Sequence, residues 1–168
     1  APTGYQLDTT PQPVTINKDN VSAAVELKFV NTELPGSIKI VKVDQENNPL
    51  VGAKFVLSKE DNGTVYYHYD EITTSWYWNP NKDTAYRFVS ETGGIVTISN
   101  LVWGDYKVEE VEAPTGYELD KTIYPVTIDK DHVASAVEVK FVNKELLGSI
   151  KIVKTDENGD VLPDAKFI

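Results

Sequence analysis

The chain has no cysteine, so no disulfide can brace it and no thiol chemistry is open to it. It has no run approaching the roughly 20 consecutive apolar residues that a membrane helix requires, and no stretch with the pattern of a signal peptide. It lacks any excess of positive charge: 16 Lys and Arg against 26 Asp and Glu give a net charge of −10, which argues against nucleic acid or an anionic membrane as partner. Its two histidines, His68 and His132, are far apart in sequence, and the copy of His132 is Asn20, so no zinc site is expected. Nucleophile elbow, glycine-rich phosphate loop and Ser–His–Asp signature are all missing, and no enzyme acting on an external substrate is expected. No cofactor is called for either.

What the chain does have is repetition. APTGYQLD opens it and APTGYELD returns at Ala113, an offset of 112 residues. Residues 1–34 and 113–146 are identical at 24 of 34 positions, and GSIKIVK at 36–42 returns at 148–154. The expected organisation is therefore the end of one repeat (1–34), one complete repeat (35–146) and the beginning of another (147–168), as in a cut from a tandem array. A unit of about 112 residues is a common size for a self-sufficient domain. The joints at 33–36 and 145–148 are short, so neighbouring units should stack closely. Leu34-Pro35-Gly36-Ser37 is similar to a sortase signal but lacks its Thr-Gly ending and apolar tail.

Apolar residues alternate with period two in SIKIVKV (37–43), GAKFVLS (52–58), GIVTISNL (94–101), DYKVEEV (105–111), PVTID (125–129) and AVEVKFVN (136–143). Clusters of Gly, Asn, Asp and Pro separate them, and no segment carries a 3.6-residue stripe. This pattern predicts an all-β antiparallel sandwich.

Alternation also exposes an anomaly. Lys42 continues the face of Ile38 and Ile40, Glu110 that of Tyr106 and Val108, and Asn143 that of Val137, Val139 and Phe141. The partial repeats carry equivalents: Asn31 follows Val25, Leu27 and Phe29, and Lys154 follows Ile150 and Ile152. A polar group at the end of one stripe is an ordinary strand terminus running into solvent. Three of complementary chemistry point to one site. Desolvation lowers a lysine pKa and raises a carboxyl pKa, so a buried pair can hold a neutral amine beside a neutral acid. Such an amine can attack an asparagine carboxamide, expelling ammonia and leaving a Lys–Asn isopeptide bond.

These residues lie in motifs that resemble the Cna B-type, or SpaA-type prealbumin-like, repeat domains of Gram-positive surface adhesins and pilins. The matching stretches are SIKIVKVD (37–44), PLVGAKFVL (49–57), GIVTISNLVWGDYKVEEVEAPTGY (94–117) and KFVN (140–143). The resemblance implies a seven- to nine-stranded immunoglobulin-like sandwich, a cell-wall-anchored extracellular location and a stalk or spacer role. It maps the isopeptide lysine to Lys42, the catalytic acid to Glu110 and the asparagine to Asn143. Glu109 and Glu112 lie nearby and are assigned to the opposite face. The bond would join the first and last strands, close to where force enters an array. The expected partners are neighbouring repeats, with strand exchange between copies as a side route that would set Asn31 in competition with Asn143.

Residues 64–88 hold eight aromatics, Trp76, Tyr77 and Trp78 among them. Tyr and Trp dominate binding hot spots and stack on sugars, so a host protein or glycan is the alternative partner. Cross-strand aromatic packing explains the same residues without a ligand. The acidic turns at 44–48 and 156–160 lack the ligand spacing of a calcium loop and fit hairpin turns.

Overall fold

A computed structural model describes residues 1–168 except Val21. Residues 36–142 form nine strands: β1 (Gly36–Val43), β2 (Lys54–Glu60), β3 (Thr64–Asp70), β4 (Ser75–Asn79), β5 (Phe88–Val89), β6 (Ile95–Leu101), β7 (Gly104–Glu112), β8 (Ile123–Ile128) and β9 (Val137–Val142). One sheet has the order β6-β1-β9; the other runs β4-β3-β2-β7-β8, with β5 added beside β2. All pairings are antiparallel except one: the first and last strands, β1 and β9, run side by side in the same direction.

The alternation in the sequence becomes the burial pattern. β1 buries Ile38, Ile40 and Lys42 and half-exposes the residues between them, while β7 buries Tyr106, Val108 and Glu110. Between the sheets lie Ile38, Ile40, Phe55, Leu57, Val108, Val126, Ile128, Val139 and Phe141. Each buried side chain of this size contributes about 1.5–3 kcal/mol of transfer free energy.

Among the described residues the flanking segments contain no strands, although they carry nearly the same sequence as β1, β8 and β9. Ile150 is 91% exposed and Phe29 is 58% exposed. A strand draws its hydrogen bonds from its partner, and here neither 24–31 nor 148–154 is paired with another strand.

Each acidic turn spends its leading carboxylate on its own backbone. Asp44 Oδ1 accepts the amides of Glu46 and Asn48 at 2.9 and 2.7 Å. Asp156 Oδ1 accepts those of Asn158 and Asp160 at 3.0 and 2.9 Å.

A buried Lys–Glu–Asn site between the first and last strands

Three elements deliver one polar group each into the apolar interior. Lys42 comes from β1, Glu110 from β7 of the facing sheet, and Asn143 directly follows β9. The backbone amide of Asn143 donates to the Val43 carbonyl at 3.0 Å, which extends the β1–β9 pairing by one step and fixes where its side chain begins. All three residues are at most 1% exposed.

Lys42 Nζ lies 3.7 Å from Glu110 Oε1. The other carboxyl oxygen, Oε2, accepts the Asn143 amide Nδ2–H at 3.0 Å and the Asp120 backbone N–H at 2.9 Å. Asn143 Nδ2 also donates to the Glu118 carbonyl at 2.5 Å. One carboxyl group thus stands between the amine and the amide, with an oxygen toward each. Two acceptors in the site, Glu110 Oε1 and Asn143 Oδ1, have no hydrogen-bond partner, which is uncommon for buried polar atoms. Phe141 walls the site, meeting Phe55 at 4.9 Å and Tyr124 at 4.4 Å between ring centroids.

Burial moves both titratable groups away from their charged forms. Desolvation holds the Lys42 amine below its usual range, opposed by attraction to Glu110 and Asp120. Desolvation also raises the Glu110 carboxyl, against the Asp120 amide, the Lys42 charge and the Asn143 amide. Each direction favours the neutral partner that amide chemistry requires.

A pH dependence follows for an Asn143→Ala chain, which keeps the pair but cannot form the bond. The raised Glu110 contributes stability below its ordinary value of 4.5 that is lost as pH climbs through its folded value. The lowered Lys42 contributes stability above its ordinary 10.5 that is lost as pH falls through its folded value. Urea unfolding of this variant is expected to show stability rising again toward pH 10.5. A chain in which Lys42 is an amide should lack that alkaline rise.

The neighbouring glutamates lie outside the site. Glu109 alternates to the other face, where Lys82 Nζ meets its two oxygens at 2.6 and 2.7 Å. Glu112 would share the face of Glu110 on an unbroken strand. A register shift between Lys54 and Phe55 breaks the alternation, and Glu112 turns outward to Lys54 at 2.9 Å.

Asn31 and Lys154, the equivalents in the flanking segments, are not brought into such a site. Asn31 is half-buried and its Oδ1 accepts the Asp8 amide at 3.2 Å, while exposed Lys154 donates to the Thr155 carbonyl at 3.0 Å. The asparagine beside Glu110 is Asn143 and not Asn31.

In the aromatic hairpin β3–β4, Trp76 and Trp78 share a face. Trp76 stacks on Tyr67 at 4.7 Å and lies parallel to Phe88 at 5.7 Å. Trp78 packs on Tyr67 and Tyr106, with Lys59 Nζ 4.6 Å above its ring. Tyr77 lies on the opposite face over buried His68, at 5.2 Å.

The SpaA family, described as a prealbumin-like fold domain, matches residues 36–144, and the chain belongs to it. Relatives by sequence and by structure carry surface-protein names. The collagen adhesin of Staphylococcus aureus is 30% identical over 116 residues, 68% of this chain and 8% of that protein. The group B streptococcus pilus 2b backbone protein is 27% identical with a TM-score of 0.58, over 69% of this chain and 43% of that one. The full-length major pilin RrgB of Streptococcus pneumoniae shares the fold at 19% identity and a TM-score of 0.56, over 88% of this chain and 38% of that one. The chain thus spans less than half the length of each of these three proteins.

Proposed function

We propose that the chain is a stalk repeat of a Gram-positive surface adhesin or pilin, locked by an autocatalytic isopeptide bond between Lys42 and Asn143. Residues 35–146 are the complete repeat, flanked by the end of one unit and the beginning of another. The observation that carries this reading is the buried carboxyl of Glu110, set between the Lys42 amine and the Asn143 amide nitrogen at 3.7 and 3.0 Å.

In this mechanism the neutral Lys42 amine attacks Cγ of Asn143. A bond forms between Nζ and Cγ, the bond between Cγ and Nδ2 breaks, and ammonia leaves. Glu110 takes the proton released from Nζ through Oε1 and delivers one to Nδ2 through Oε2, ending as it began. No cofactor enters, and each site reacts once. Proximity supplies the rate: a held nucleophile acts at effective molarities of about 10⁵ M or more when well aligned. Family membership and the pilus and adhesin names of the relatives support a place at the cell surface. Intact mass spectrometry is the test. The purified chain is expected one ammonia below its encoded mass, and Lys42→Ala at its full encoded mass; an unmodified parent chain would overturn the bond.

A second reading rests on Trp76 and Tyr77, which are 42% and 44% exposed. They could meet a host protein or glycan. The stacking of Trp76 on Tyr67 and Phe88 favours a packing role, so Trp76→Ala is expected to cost about 1–2 kcal/mol of stability and leave matrix and glycan arrays unbound as before. Array binding by the parent chain, lost in that variant, would establish the second reading.

A further inference from the structure

The Ala-Pro-Thr-Gly-Tyr box occurs twice and folds the same way both times. In the first copy the Gln6 amide donates to Thr32 and the Leu34 amide to Gly4, each at 2.8 Å. In the second, Glu118 donates to Lys144 and Leu146 to Gly116, again at 2.8 Å. Tyr5 bridges Glu33 as Tyr117 bridges Glu145. The box and the joint after it are therefore one hydrogen-bonded unit, formed the same way in the flanking segment 1–34 as beside the sandwich.

The two copies differ in what covers them. In the second, Pro114 is buried against its own repeat and Gly116 is exposed, with nothing within 4 Å of where a Cβ would sit. In the first, Pro2 is exposed and Gly4 is buried, and a Cβ on Gly4 would lie 2.7 Å from the Trp103 ring and from the Lys130 Cβ. The Tyr5 ring meets Trp103 edge-on at 5.1 Å, and Trp103 Nε1–H donates to the Leu34 carbonyl at 3.0 Å. At the joint itself Gly36 is pressed against Ile128, while its counterpart Gly148 is open. The box thus has two faces. Its proline side closes its own repeat, and its glycine–tyrosine side sits on the next.

We propose that this box is a clasp between consecutive repeats, with Trp103 as the anchor on the following unit. Residues 1–5 and 33–36 display the closed clasp; residues 113–117 and 145–148 present the same surface open, for the Trp103 counterpart of the next repeat. The partner rests on the stalk reading above, whereas the docking itself does not depend on the bond. The clasp replaces a flexible joint with a fixed orientation, because the short linker makes every contact intramolecular.

Solution NMR on the whole chain tests it. Amides at positions 3–8 and 30–34 are expected to tumble with the sandwich, with Tyr5–Trp103 ring cross-peaks and an exchange-protected Trp103 indole proton. Tyr5→Ala, which alters only the tail side, and Trp103→Ala should each abolish these signals and release the tail. A tail already moving independently in the parent chain would overturn the clasp, as would a tail unaffected by both substitutions. Intact mass read on the same samples keeps the two proposals separate: a docked tail on a chain of full encoded mass would support the clasp and remove the bond.

Discussion

Glu110→Ala is expected to leave the chain at its full encoded mass and to lower its unfolding temperature by tens of degrees. Two losses combine. Without the bond, a loop of about 100 residues is no longer closed in the unfolded state, worth about 4–5 kcal/mol in the chain-entropy picture. Without the carboxyl, the Asp120 backbone N–H loses its buried acceptor beside the enclosed Lys42, a change that typically costs about 1–3 kcal/mol. Their sum rivals the whole stability of an ordinary domain, about 5–15 kcal/mol. Glu110→Gln separates the two. Its amide oxygen can still accept the Asp120 N–H, but it cannot carry a proton from Nζ to Nδ2. That variant should also keep its full mass, with a smaller loss confined to the missing bond. A bonded, heat-resistant Glu110→Gln chain would remove Glu110 from the chemistry.

Gly94→Ala is expected to destabilise by about 3 kcal/mol or more and to slow ammonia loss by roughly a hundredfold if Nζ is moved by about 1 Å. Gly94 closes the short 3-10 turn Thr92–Gly94 with φ of 70°, a left-handed conformation that a side chain disfavours. A methyl group there would collide with the carbonyl of Lys42, which already accepts the Leu50 amide at 2.9 Å. The strain would fall on the residue whose amine must be aimed. Gly93→Ala is the control. Gly93 also has a positive φ, 80°, but a Cβ there meets only Ile95, at 3.7 Å. Its cost should be the conformational one, about 1–2 kcal/mol, with the kinetics unchanged. The checks are urea unfolding and a mass time course after synthesis.

The strands and the trio were legible because both rest on a two-residue period. Ile38, Ile40 and Lys42 face inward for the same geometric reason, and a lysine on such a face marks itself. Glu112 shows the limit of that rule. It is expected opposite Glu110 and does lie there, yet strict alternation would leave it on the side of Glu110; the register shift opposite Lys54 and Phe55 is what turns it outward. The flanks show a deeper limit. KFVN folds as strand at 140–142, but the same letters at 28–31 do not. A strand's hydrogen bonds belong to its neighbour, so local pattern cannot say whether the neighbour is present. Nor does the sequence distinguish the two faces of the Ala-Pro-Thr-Gly-Tyr box. That difference appears only when one copy is covered and the other bare.

The parallel pairing of β1 with β9 puts the entrance and the exit of the repeat at opposite ends of one strand pair, at Gly36 and Val142. With the Lys42–Asn143 bond closed, tension applied at the two ends runs along β1, across the bond and out. Everything between those two residues is left off the path. An open repeat that unravelled would release about 100 residues of slack, roughly 330–360 Å at full extension. The closed one releases none of it. A row of such repeats would hold its reach under drag, so that whatever it carries stays at a set height above the surface.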